Sequence, residues 1–149
     1  MQRRAHLPAV ARSDVRHIHS ELQGTLTMSK YAIIASRSLW WKAGALLGAT
    51  GVLCGAFGAH GLKKRIPPID PNMLKAWETA AHYQLIHSVA LLAAPFARKP
   101  HVAGGLFGAG ILLFSGSLYA MVLTNNRKLG AITPIGGLAM VGGWLALLL

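Results

Sequence analysis

Cysteine is nearly absent from this 149-residue chain: Cys54 stands alone. No intrachain disulfide and no multi-cysteine metal site can form. Inside an apolar run, Cys54 reads as a small buried hydrophobe. Acid is also scarce, with 4 Asp and Glu against 15 Lys and Arg, a net charge of +11. Charged residues of both signs make up 13% of the chain, about half the share of a soluble domain. Hydrophobic residues make up 53%, and the mean hydropathy is +0.44. A soluble fold of this size would hold too much apolar surface against water, a cost that a bilayer removes. Basic patches interleaved with aromatics are missing, so the positive charge does not read as a nucleic-acid footprint. The cations flank long apolar runs instead, where lipid headgroups are the natural partner.

The length suits one domain preceded by an arm. Residues 1–38 hold Arg3, Arg4, Arg12, Arg16, Lys30 and Arg37 against Asp14 and Glu21. No continuous apolar stretch marks a secretory signal there. The Arg-rich, acid-poor composition resembles a weak mitochondrial presequence. A disordered basic arm, or initiation at Met28, accounts for the segment equally well. Residues 39–149 carry four apolar runs, about Leu39–Gly61, Trp77–Ala97, Val102–Thr124 and Gly130–Leu149. Each has the length of a membrane-spanning helix. Trp40, Trp41 and Lys42 read as an interfacial anchor for the first. Pro67, Pro68 and Pro71 exclude a continuous helix after it. Asp70 then suits an N-cap, with Pro71 at the first helical position.

Two-residue alternation is missing, which argues against strands. Runs one, three and four have no polar face, which argues against a soluble bundle. The expected fold is an all-α membrane protein, an antiparallel bundle of four transmembrane helices packed through Gly-rich faces. Sixteen of the 17 glycines lie between Gly44 and Gly143. Small residues let helix backbones approach closely in a bilayer. Gly44 and Gly48, and Gly51 and Gly55, form four-spaced pairs on the first run, followed by Gly58. Gly104, Gly108 and Gly116 lie on one stripe of the third, and Gly143 with Ala139 on the fourth. The counts of Lys and Arg on the two sides are similar, so orientation is not read.

Alternate threading brings the polar ends of the runs to one side of the membrane. His60 ends run one; Glu78, His82, Tyr83, Gln84 and His87 lie on run two; Ser115, Ser117 and Tyr119 on run three; Thr133 opens run four. These residues form a candidate polar pocket near one leaflet. Glu78 and His82 are four apart and share a helix face, and intramembrane ionisable groups are costly unless partnered. Interhelical hydrogen bonding explains the whole set. A proton or small-solute path through Glu78, His82 and His87 is a second reading. Haem or metal ligation by His60, His82 and His87 is a third, weakened because His82 and His87 sit about 140° apart around one helix. No nucleophile–base arrangement is legible, so no enzyme, metal or cofactor is expected.

Four segments occur in order: GAFGAHGL (55–62), WETAAHYQLIHSVALL (77–92), LFSGSLY (113–119) and ITPIGG (132–137). Together they resemble the transmembrane protein 256 family, also known as domain of unknown function 423, over about residues 39–149. The resemblance implies a small four-helix membrane protein of unassigned activity, and its motifs map to Gly55, Gly58, His60, Tyr83, Gln84, His87, Ser115, Gly116, Ser117, Tyr119, Thr133, Pro134 and Gly136. The basic arm departs from the short N-termini of bacterial members. The function expected on these grounds is structural or accessory, a membrane scaffold or complex subunit with membrane-protein partners or self-association. The alternatives are a small transporter and a His-ligated haem redox protein. A mitochondrial inner membrane fits the arm, with the plasma membrane or another membrane as alternative.

Overall fold

The structure is a computed structural model that describes residues 9–65 and 68–149. Arg3, Arg4 and Pro67 lie outside those residues. The described chain is helical and contains no strand. It divides into two units, Met1–Ile34 and Ala35–Leu149. Helix α1 runs from Ala9 to Arg37, most of it in the first unit. Ser20 and Thr25 turn their hydroxyls back onto the backbone carbonyls of His17 and Glu21, and His17 Nδ1 lies 3.7 Å from Glu21 Oε1 one turn on.

The second unit is the bundle. Helix α2 (Leu39–Ala56) continues as a π-helical stretch, Phe57–Leu62. Helix α3 spans Pro71–Ala93 and ends in a short 3-10 turn, Ala94–Phe96. Helix α4 runs from Pro100 to Thr124 and carries a π-helical stretch at Leu112–Gly116. A 3-10 turn, Arg127–Ile132, leads into α5, Thr133–Leu147. The caps follow their sequence signals. Ser38 accepts a hydrogen bond from the Trp40 amide, and Asp70 accepts one from Asn72 at 2.8 Å with Pro71 in the first turn. Asn125 closes α4 in a left-handed conformation, φ 53°.

Among the described residues, three helical segments are long and apolar enough to cross a membrane: Leu39–Leu62, Pro100–Thr124 and Arg127–Leu147. Helix α3 has the length, 23 residues, but its first two turns carry Lys75 and Glu78. The outward faces of α2 and α5 are apolar, with Leu46, Leu53, Leu138 and Leu145 all exposed. In water such faces would be a liability; in lipid they are solvated.

Two antiparallel pairs build the bundle, α2 with α3 and α4 with α5, joined where α3 meets α4. Their tight contacts recur every seven residues, unlike the four-residue spacing that stands out in the sequence. A β-carbon on Gly44 would sit 2.9 Å from the Ser88 carbonyl oxygen, one on Gly51 3.0 Å from Leu85, and one on Gly58 2.5 Å from the Trp77 indole. Gly136 approaches the backbone of Leu113 and Phe114, and Gly143 the ring of Phe107. A seven-residue seam is what left-handed helix packing selects. Gly48, Gly55 and Gly108 make only ordinary van der Waals approaches, and nothing faces Gly116 within 4 Å. Gly110, outside the stripe read on the third run, packs against the Met140 backbone and the Gly136 carbonyl. Trp40, at the start of α2, also packs inward. Its indole lies over Gly104 and donates to His101 Nδ1 at 3.3 Å.

Candidate functional site

The interior has three levels. At one end Ala90, Leu91, Ala94, Ala103, Phe107 and Ala146 form an apolar cluster. At the other, Leu62, Met73, Trp77 and Val122 form a second, with Tyr119 and Cys54 at its edge. Along α3 and α4 the polar residues fall between them. Gln84 is 5% exposed and is the hub of that layer. Its Nε2 donates to the Leu47 carbonyl at 2.8 Å and to Thr50 Oγ1 at 3.0 Å. Its Oε1 accepts from the Tyr119 hydroxyl at 2.9 Å. One carboxamide thus links α2, α3 and α4. Below it, the Trp77 indole N–H donates to the Cys54 carbonyl at 2.7 Å across the α2–α3 seam.

Two hydroxyls tie α4 to its neighbours. Ser115, fully buried, donates to the Ala80 carbonyl of α3 at 2.8 Å. Ser117 shares a 2.9 Å hydrogen bond with Thr133 at the start of α5. Both serines lie in or beside the π-helical stretch of α4. A π turn inserts an extra residue into the helical repeat and rotates the facing of the turns after it. Among the described residues, no fully buried side-chain nitrogen or oxygen is left without a hydrogen-bond partner.

His87 belongs to a separate group. Its ring stacks on Tyr83 with centroids 5.7 Å apart and planes at 14°. Phe107 and Trp144 each approach to 6.1 Å. Tyr83 also stacks on Phe114 at 4.6 Å. Nδ1 of His87 lies 2.8 Å from the Tyr83 carbonyl. A carbonyl only accepts, so Nδ1 carries the hydrogen in this contact.

The sequence-expected pocket therefore divides. Gln84 and Tyr119 meet directly, as do Ser117 with Thr133 and Tyr83 with His87; Ser115 is buried against α3. His60, Glu78 and His82 are exposed on the outside of the bundle. Glu78 lies 3.3 Å from Lys63 Nζ, an ion pair with half-exposed partners. Among the described residues, no three His, Cys, Asp or Glu side chains come together as a metal-ion set. Thr50, Trp77 and Trp144 were missed by the sequence reading. Thr50 is the only hydroxyl residue between Leu39 and Leu62, and that isolation was the available signal.

The family model described as a protein of unknown function, DUF423, matches residues 54–137, a stretch that contains Gln84, His87, Ser115, Ser117 and Tyr119 but not Leu47 or Thr50. A UPF0382 membrane protein of Schizosaccharomyces pombe is 42% identical over 116 residues, covering 72% of this chain and 97% of the relative. The chain belongs to this family. A UPF0382 membrane protein of Staphylococcus aureus is 44% identical over 111 residues, covering 71% of this chain and 88% of its own. One from Bacillus subtilis is 40% identical over 109 residues, covering 68% and 86%. No solved structure matches. The chain is an integral membrane protein of a family without an assigned biochemical function, and its environment is the lipid bilayer.

Proposed function

We propose that this family member is a structural or accessory membrane component, a scaffold or complex subunit without catalytic activity of its own. The observation that carries this reading is the saturation of Gln84. Both its amide hydrogens and its carbonyl oxygen are spent on Leu47, Thr50 and Tyr119. A transport path needs polar groups that exchange partners with the passing solute. The closed network supports a rigid packing unit instead. The serine hydroxyls donate to the Ala80 and Phe114 carbonyls, which supports a non-catalytic role. The transporter is the competing class. In proteoliposomes carrying an internal pH dye, proton flux should match that of empty vesicles; flux above that level, lost in His87→Ala, would overturn the scaffold reading.

Four membrane crossings are part of the proposal. Helix α3 lies antiparallel along α2 from Gly44 opposite Ser88 to Gly58 opposite Trp77. A helix packed along the length of a spanning helix is carried across with it. The mitochondrial inner membrane is the proposed location. Its support is the Arg-bearing, acid-poor segment before the bundle. Fractionation that recovers the chain with plasma membrane would refute that location.

A further inference from the structure

The end of the bundle that holds the α2–α3 and α4–α5 connections is basic. Lys63, Lys64, Arg65, Lys75, Arg127 and Lys128 lie there against Asp70 and Glu78. Both acids are already engaged. Asp70 Oδ2 accepts from Arg127 Nη2 at 2.7 Å, and Glu78 pairs with Lys63. Between the two connections opens a cleft of about 600 Å³. Exposed Arg65, Asn125 and Arg127 line its rim, and Met73 and Val122, each 5% exposed, form its floor beside exposed Leu123.

We propose that this cleft binds an anionic phospholipid. The phosphate sits between the guanidinium groups of Arg65 and Arg127, and the first acyl carbons lie against Met73, Val122 and Leu123. Guanidinium forks match phosphate oxygens in geometry as well as charge. The Asp70 contact holds the Arg127 fork in place, which lowers the ordering cost of binding. The carboxylate also repels the phosphate, an effect that the surplus of neighbouring lysines offsets. A free phosphate would need only the cationic rim. Leu123, exposed on α4 at the cleft's edge, and partly buried Ile69 give it an apolar side, which favours a ligand with acyl chains, and basic pockets beside transmembrane helices suit such headgroups.

The test is native mass spectrometry of the full chain in mild detergent, titrated with phosphatidylglycerol or with phosphatidylcholine of the same acyl chains. Phosphatidylglycerol should be retained in preference. Arg65→Gln should weaken its binding about fivefold, while Lys128→Gln, outside the cleft, should change it about twofold at most. Arg65 is exposed, and unchanged helicity by circular dichroism verifies that the variant remains folded. Equal retention of the two lipids would overturn the proposal. Equal losses in the two variants would also overturn it, because they mean diffuse attraction to a basic surface. Displacement of the lipid by millimolar inorganic phosphate would assign the rim to a soluble anion instead.

Discussion

A glutamine side chain inside a bilayer has two amide hydrogens and one oxygen to satisfy, and no water to do it. Gln84 meets that demand with Leu47, Thr50 and Tyr119, drawn from two other helices. Breaking one arm leaves a polar atom stranded, so the partners are coupled. In membrane proteins such interhelical hydrogen bonds average about 0.6 kcal/mol and reach about 1.7 kcal/mol. A double-mutant cycle of Gln84→Leu and Tyr119→Phe, followed by detergent unfolding, should give a coupling of about 1 kcal/mol. Strict additivity would mean that the two groups do not depend on each other. His60, exposed on the π-helical stretch, lies in a family motif as these residues do, yet takes no part in their hydrogen bonds. A histidine letter in the sequence does not distinguish a ring held among Tyr83, Phe107 and Trp144 from one facing outward.

The helices associate with little hydrophobic drive between them, since lipid tails are as apolar as leucine. Close backbone approach takes over that role, and the glycines decide where it happens. Gly136 faces the backbone of Leu113 and Phe114, which cannot swing aside as a side chain can, whereas nothing faces Gly116 within 4 Å. Gly136→Ala should force α4 and α5 apart and destabilise by about 1–3 kcal/mol. Gly116→Ala should be neutral or stabilise by up to about 1 kcal/mol. Thermal unfolding in the same detergent separates the two, and similar losses would contradict a seam at Gly136. Of the four-residue glycine pairs visible in the sequence of α2, one member of each, Gly44 and Gly51, makes the close contact, and its partner, Gly48 or Gly55, does not. The close approaches at 44, 51 and 58, and at 136 and 143, are seven residues apart, the period that left-handed packing keeps in register with a neighbour.

At the scale of the whole molecule, the number of crossings depends on α3. Composition sets Leu39–Leu62, Pro100–Thr124 and Arg127–Leu147 in the membrane class and leaves α3 outside it. Packing along α2 argues for the fourth crossing. Single cysteines at Lys64 and Lys99, in a Cys54→Ala background, should react with an impermeant reagent from opposite sides of sealed vesicles. Labelling from one side would reduce the count to three.

The sequence by itself determined the solvent of this protein and its helices. Apolar runs of about twenty residues, few charges, the Asp70–Pro71 start and ordered family motifs are local properties, readable one segment at a time. Only the tertiary structure decided how the polar residues are shared out. Gln84 and His87 differ by three positions on one helix, yet one bonds across to α2 and α4 while the other stacks among aromatic rings. Which neighbour a side chain meets depends on seam register and on the π-helical stretches that shift helix faces, and neither is encoded in the spacing of a single helix.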